Sequence, residues 1–389
     1  MLSNTLDAPA DFTILLLRSK SRHTPHTWTL AVIEKRRTFM NFNFLSKNKK
    51  KTITPSTKVY RKQIIEGFSI PAIIQNGSYF FVDIDVYENG RVECWNFEDF
   101  EHFKKDVQKG WVSLNIPDKK EISIHGLGNW TIQNGNWIFN KDSFIEYVQS
   151  LIKNLNPKLE NIYKHSEKTI NGVRIGESGN GTIYKDSKKD ENDIFPEKIN
   201  GNSINLFYRI SKEYALIKVN AFADHTIQLS RLESPIDLTL EEFEKYIEQK
   251  DILTEIPLNS NVSIYGLGDF KVTNNLYVTS VEDKLLEIKD ILGKLNGQPS
   301  TIEICRKNHK TYINNPIIEN KNKLKASYEN IPIHQRMYVG DMDTEDIEVR
   351  MIIYGEKEIE NWSHYQIAKS RGEKLPTINI PKPKDKNNS

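Results

Sequence analysis

The part of the chain whose residue types come nearest to a reaction centre runs from Tyr328 to Asp346, where charged and apolar residues are tightly interleaved. Four side chains in it form a candidate catalytic set. His334 would act as general base, Asp341 and Asp343 as carboxylates able to hold a divalent cation, and Arg336 as a clamp for an anion. Together they would serve a metal- or nucleotide-dependent hydrolysis. The same residues also admit an architectural reading, in which Asp343 or Thr344 caps a helix containing Ile347 and Met351 while Arg336 and Arg350 pair with nearby acids. The Asp-x-Asp spacing lacks the further acids and the glycine of a calcium loop, so the architectural reading is preferred and no metal site is expected.

A second constellation lies in the middle of the chain. His125 stands beside Gly126 and Gly128, where a ligand can approach the backbone, and with Trp130, Trp137 and Tyr265 it makes up the candidate binding residues. Aromatic side chains of this kind concentrate interface energy, and equally they fill cores. The glycines of Gly176-Glu177-Ser178-Gly179-Asn180-Gly181 suggest a phosphate cradle, but the Lys-Ser/Thr pair of such a loop is missing. No serine-hydrolase, zinc-protease or dinucleotide pattern occurs in usable context, and no cofactor is expected.

The elements that would position these residues come from an internal duplication. Ile116-Pro117 followed by Ile122-Ser123-Ile124-His125-Gly126-Leu127-Gly128 returns as Ile256-Pro257 followed by Val262-Ser263-Ile264-Tyr265-Gly266-Leu267-Gly268, at an offset of 140 residues (256 less 116, 266 less 126). The offset also carries Phe103 onto Phe243 and Ile152 onto Leu292. Upstream, Val82 to Trp95 aligns with Ile217 to Ser230 five residues out of step, which requires an insertion in the second copy near Ser234 and Pro235. Because His125 answers to Tyr265, a role shared by both copies cannot depend on imidazole.

Within a copy, the alternating run 78–87 and the run 91–96 flank Asn89-Gly90, a hairpin signal. Phe97, Phe100, Phe103 and Val107 then follow at helical spacing. A strand pair turns at the glycines and continues to Phe139, and a helix from Lys141 to about Leu155 buries Phe144, Ile145, Val148, Leu151, Ile152 and Leu155, with Asn140 or Asp142 as cap and Pro157 as terminator. From Ser300 the pattern is helical, with Cys305 and Tyr312 in one helix and Leu324 and Tyr328 in the next.

The fold class expected is α+β: two tandem copies of a mainly antiparallel sheet-plus-helices module, followed by a helical C-terminal segment. The expected organisation is a non-native or disordered extension over 1–39, a basic arm over 40–66, copies at 67–157 and 203–297 joined by a polar connection at 158–202, a helical segment at 298–372 and a disordered tail at 373–389. An organelle-targeting peptide is the alternative for 1–39, and Asp7, Asp11 and Glu34 oppose it.

Composition narrows the partners. Lys+Arg 54 against Asp+Glu 52 leaves a net charge of +2, which supplies no global field for nucleic acid or anionic membrane. The lysines at 47, 49, 50 and 51 read as a solvated arm. No run reaches the roughly 18 apolar residues that a membrane-spanning helix needs. Cys94 and Cys305 stand far apart in sequence and argue for a reducing cytoplasm rather than a disulfide framework.

Over residues 66 to 355, and most closely at Asn76-Gly77-Ser78-Tyr79 through Trp95, at Gly126-Leu127-Gly128 and at Tyr328 to Gly355, the chain resembles an uncharacterised bacterial family of duplicated α+β proteins. In size, composition and style it is similar to immunity or accessory proteins encoded beside bacterial toxins. The resemblance carries over no catalytic residue; because two copies of a sheet module offer broad surfaces and no convergent catalytic set is apparent, the function expected is that of a cytoplasmic protein that binds a protein partner.

Overall fold

The computed structural model describes residues 67–170 apart from 96, residues 173–177 and 197–383, and the backbone of two short strands, β1 (Leu16–Leu17) and β2 (Leu30–Lys35), which pair antiparallel. Both strands fall within the extension expected to be non-native or disordered. The remainder of 1–66 with its lysine run, residues 178–181 of the glycine-rich stretch, and residues 384–389 lie outside the described residues.

The first copy opens on β3 (Gly67–Asn76), turns at Gly77 and returns as β4 (Ser78–Tyr87), which meets β5 (Val92–Glu93) antiparallel. Of the two expected hairpin residues only Gly90 takes a positive φ, 77°. Asn89 instead accepts the Arg91 amide on its side chain at 3.2 Å. Helix α1 (Phe100–Lys109) begins at Asp99, whose carboxylate accepts from the His102 amide, and buries Phe103 and Val107. After β6 (Val112–Ser113) come β7 (Glu121–Ile124), β8 (Gly128–Trp137) and α2 (Lys141–Leu155). Asn140 is the cap of α2, and the side chain of Ser143 reciprocates to complete the box. Asn134-Gly135 makes no turn: β8 runs through it, with Asn134 at φ 54° and its amide held by Asp118 at 2.8 Å.

The connection folds back on the first copy through Tyr163, whose amide donates to the Asn89 carbonyl at 2.7 Å, and continues as the hairpin β9 (Ser166–Ile170) and β10 (Val173–Glu177). The second copy comprises β11 (Glu197–Ile210), β12 (Glu213–Phe222), β13 (Ile227–Ser230), β14 (Ile236–Leu238), α3 (Leu240–Glu248), β15 (Ile252–Leu253), β16 (Asn261–Ile264), β17 (Gly268–Val278) and α4 (Val281–Leu295). Among the described residues strand β14 has no counterpart in the first copy, and it falls where the extra residues were expected.

The backbone takes the same path twice. Ile122 faces Trp130 as Val262 faces Phe270. The Lys119 amide donates to the Ile132 carbonyl as the Asn259 amide donates to that of Val272. Gly126 and Gly266 have φ of 67° and 79°, and Gly128 and Gly268 of 156° and 153°.

The chain divides into two compact units that cut across the copies. One contains residues 1–77, Phe81–Asn115 and Trp137–Gly201; the other contains Ser78–Phe80, Ile116–Asn136 and Asn202–Ser389. In the first, α1 and α2 cover the sheet, with Phe97, Phe103, Val107, Phe144 and Val148 packed on Ile70, Ile74, Ile84 and Val86. In the second, β7 and β8 of the first copy join the second copy's strands because the equivalent strands β8 and β17 lie side by side. There Thr273 donates to the Thr131 carbonyl at 3.2 Å and Asn136 to Asp269 at 3.1 Å. Strand β12 runs antiparallel to β13 and parallel to β16, which pairs antiparallel with β17.

The C-terminal segment is helical as expected, with α5 (Thr301–Asn314), α6 (Ile318–Glu329), a 3-10 stretch Ile333–Val339, α7 (Ile347–Tyr354), a second 3-10 stretch Glu356–Asn361 and α8 (Ser363–Arg371). Cys305, Tyr312, Leu324, Tyr328, Val349 and Ile352 form its core. The tail is not free through its described length: Ile380 packs on that core, and the Tyr312 hydroxyl donates to the Pro381 carbonyl at 2.8 Å. The expectation of a disordered tail from 373 missed this because a proline-rich segment has no periodicity to reveal a docking site.

Neither cysteine is in a disulfide. Burial pushes the Cys94 thiol up to about 12 and the Cys305 thiol up to about 11. The thiolate is the reactive form. Both thiols are therefore expected to resist a disulfide-exchange reagent at pH 8 in the native protein and to react at once in denaturant; rapid titration of two thiols under native conditions would contradict their burial.

Candidate functional site

Helix α4 is built like α2 but carries charge where α2 is apolar. Ser280 caps it, accepting from the Asp283 amide at 3.0 Å, and Ile288, Ile291 and Leu292 face the core as Val148, Leu151 and Ile152 do in α2. At the offset of 140, however, Lys284 replaces Phe144 and Glu287 replaces Tyr147. Phe144 is fully buried, and the side chains of Lys284 and Glu287 are only 1% and 3% exposed. A charge so far from water is tolerated when it is paired and hydrogen-bonded.

The partner comes from the C-terminal segment. Lys284 Nζ donates to Glu287 Oε2 at 2.5 Å, and His334 Nε2 lies 3.0 Å from the same oxygen, its side chain 8% exposed. Pro332 starts the 3-10 stretch that brings His334 to this point, the Gln335 amide donating to its carbonyl at 2.8 Å. The Ile333 amide donates to Asp283 at 3.0 Å, a second tie between α4 and the same stretch. Burial alone would raise the carboxyl of Glu287, but the ammonium of Lys284 and the hydrogen bond and charge of His334 outweigh it and bring it down to about 2. Burial, and then the charge of Glu287, push the Tyr338 hydroxyl up.

The Gly126 turn closes the site from below. A side chain there would meet Lys284 Nζ at 3.5 Å and the His334 ring at 3.7 Å, whereas at Gly266 nothing lies within 4 Å. The Thr279 amide donates to the Leu127 carbonyl at 2.9 Å, fixing the start of α4 against the turn. Identical backbones thus have unlike neighbours, and the difference is this buried triad. Its three groups face one another, and the arrangement acts as an ionic tie between α4 and residues 333–339.

Of the four residues expected to form a catalytic set, only Asp341 and Asp343 are joined, through the Asp343 backbone amide. His334 belongs to the triad. Arg336 donates through Nε to the Ile331 carbonyl at 3.0 Å and through Nη2 to that of Glu329 at 3.1 Å, and its guanidinium lies 5.1 Å from the centre of the Tyr328 ring. Asp341 accepts from the Asp343 amide at 3.1 Å and from the Thr344 amide and hydroxyl, both at 2.7 Å, which holds its carboxyl below the usual range. Asp343 and Thr344 do not cap α7; its cap is Asp346, which makes no capping bond and instead accepts from the Tyr328 hydroxyl. Arg350 pairs with Glu358 as the architectural reading expects of a local acid, while Arg336 takes carbonyls instead. Among the described residues no group of three or more His, Cys, Asp or Glu is placed to hold a metal ion, and no helix is long and apolar enough to cross a membrane.

The candidate binding residues divide. His125 is exposed, Tyr265 is 38% exposed and Trp137 is half-buried. Trp130 is a correction: it is fully buried and meets the Phe207 ring edge-on at 5.2 Å, so it is core and cannot anchor a partner. Lys284 and Glu287 were missed, although two charges on the apolar stripe of a repeated helix are visible once the copies are aligned.

Fold and site together define a duplicated α+β protein whose helical C-terminal segment is tied by buried charges to the last helix of the second copy. Residues 55–159 and 189–299 match the family model described as a domain of unknown function (DUF7638), and residues 300–378 match a second domain of unknown function (DUF7639). The chain belongs to the DUF7638 family. No curated protein and no solved structure matches it.

Proposed function

We propose that the protein is a protein-binding protein that presents residues 333–342 to its partner. The observation that supports this reading is an inversion of polarity. Over 333–337 the polar side chains turn inward, His334 to Glu287, Arg336 to backbone carbonyls and Gln335 to a buried position, while Ile333 and Met337 stand 60% and 44% exposed; farther along, Met342 is 77% exposed. Single exposed apolar residues are ordinary; apolar residues held outward by buried polar neighbours are what a contact surface requires. Methionine adapts to an irregular partner surface.

The similarity in style to immunity and accessory proteins supports a role in which occupying a partner's surface is itself the activity. Two thiols outside any disulfide support a reducing cytoplasm as its compartment.

The test is affinity recovery of the full chain from its native cells, beside the variant Ile333→Ser/Met337→Ser. The wild type is expected to retain one protein in stoichiometric amount, and the variant at least tenfold less of it at an unchanged melting temperature. Equal recovery by both, or no stoichiometric protein with the wild type, would overturn the reading.

A further inference from the structure

Asparagine is a thermolabile residue, and most of all where glycine follows it, because the glycine nitrogen has no neighbouring Cβ to shield it from the asparagine side chain. Among the described residues the pair occurs at Asn76, Asn89, Asn134, Asn200 and Asn296. For the two groups to react, the side chain and the next backbone amide must be free to turn toward each other. The fold withholds that freedom everywhere but at Asn76.

Asn89 is 4% exposed, its Oδ1 accepts from the Arg91 amide at 3.2 Å, and the Gly90 amide donates to the Tyr87 carbonyl at 2.9 Å. Asn296 donates through Nδ2 to the Leu292 carbonyl at 2.9 Å, and the Gly297 amide donates to that of Lys294 at 3.1 Å. Asn134-Gly135 lies inside β8, with the Asn134 amide held by Asp118, and Asn200-Gly201 lies inside β11, with Gly201 buried. A residue within a sheet must open its strand before its backbone can pivot.

None of these restraints acts on Asn76. It ends β3, and Gly77, at φ 70°, turns the chain into β4 while belonging to neither strand. Asn76, Gly77 and Ser78 are all exposed. Among the described residues the Asn76 side chain has no hydrogen bond, and the Gly77 amide donates to no turn or loop carbonyl. Around Gly77 the space is open, since a side chain built there would meet nothing within 4 Å.

We infer that Asn76 is a self-modification site, converted by the Gly77 amide and water to a mixture of aspartate and isoaspartate. The Gly77 nitrogen forms a bond to Cγ of Asn76, the bond from Cγ to Nδ2 breaks, and ammonia leaves with the proton that the Gly77 nitrogen gives up. One water molecule then opens the cyclic imide. Opening at Cγ restores the ordinary backbone and leaves aspartate; opening at the backbone carbonyl leaves isoaspartate, whose main chain runs through Cγ. Nothing is oxidised or reduced. Either product places a new carboxylate at the turn, and isoaspartate also lengthens the backbone a few residues from Ile73 and Ile74, which are fully buried.

The experiment holds the full chain at pH 8, native in one sample and in denaturant in another, and follows each Asn-Gly peptide by chromatography and mass spectrometry. In the native sample Asn76 is expected to convert at least tenfold faster than Asn89, Asn134, Asn200 or Asn296, giving two product peptides of equal mass. In denaturant the rates converge. Asn76→Gln removes the products, because the longer side chain closes its ring far more slowly, and Gly77→Ala slows conversion at least tenfold. An intact Asn76 in the native sample, conversion of another described site as fast as Asn76, or aspartate formed without isoaspartate would overturn the inference. Should Gly77→Ala fail to fold, the native and denatured wild-type samples still decide.

Discussion

Glu287→Gln lowers the free energy of unfolding by about 3–5 kcal/mol, the range that removal of one partner from a buried ion pair produces. The side chain of Lys284 is 1% exposed and has no water to turn to, so glutamine leaves an ammonium without a counter-charge in the interior. Denaturant titration of the two proteins measures the difference. Its pH dependence follows from the depressed carboxyl of Glu287, at about 2 in the folded protein. An unfolded glutamate titrates near pH 4.3, and each unit of difference is worth about 1.4 kcal/mol. The stabilisation is therefore fully present above about pH 4.5, on the order of 3 kcal/mol, and is lost as pH falls through that point toward 2. The gap between wild type and Glu287→Gln narrows over this window. Lys284 and His334 face the carboxylate, burial and its charge push the Tyr338 hydroxyl up, and Asp283 accepts from the Ile333 amide beside them. An undiminished gap at pH 2.5 would show that the loss has another cause.

Replacing the whole triad behaves differently from breaking it. In α2 the same positions hold Phe144 and Tyr147, and the helix packs well on them. Lys284→Met/Glu287→Leu/His334→Leu is expected to recover most of what Glu287→Gln loses, since a buried ion pair replaced by apolar groups of similar volume is often neutral or stabilising. The triad therefore does not earn its place through stability. It distinguishes the second copy's helix from the first, so that residues 333–339 have one seat on a fold whose two halves otherwise offer the same backbone.

How far the sequence foretells this follows from range. Helix α2 was legible in extent, with its cap left between Asn140 and Asp142, because the capping residues, the apolar stripe and Pro157 are all local signals. The repeat was legible because backbone-determining glycines recur at a fixed offset. Which unit the β7–β8 hairpin joins was not, since alternation reports a buried face and carries no address for the sheet that buries it. The triad joins His334 to a residue 47 positions away, and the tail is held through a bond spanning 69. Contacts of that separation leave no periodicity. Trp130 was left open for a related reason: a tryptophan next to a glycine turn suits an anchor or a core, and only the arrival of Phe207 decides.

Gly128→Ala is expected to unfold the second unit's central strands, with a loss above about 3 kcal/mol or failure to fold. An added methyl would sit 2.3 Å from the Tyr277 carbonyl oxygen and 2.9 Å from the Trp130 ring, and φ is 156°, where side chains are strained. Neither neighbour can give. Trp130 is locked against Phe207, and Tyr277 belongs to β17, whose continuation to Thr279 is bonded to Leu127. The matched control is Gly266→Ala, where φ is 79° but nothing lies within 4 Å, so only backbone strain of about 1–2 kcal/mol applies. Thermal unfolding of the two variants separates the effects: if both lose the same amount, conformation alone explains the glycines. A much larger loss at Gly128 shows instead that close passage of β8 and β17 requires a residue without a side chain, which is the condition for the two copies to share one set of strands.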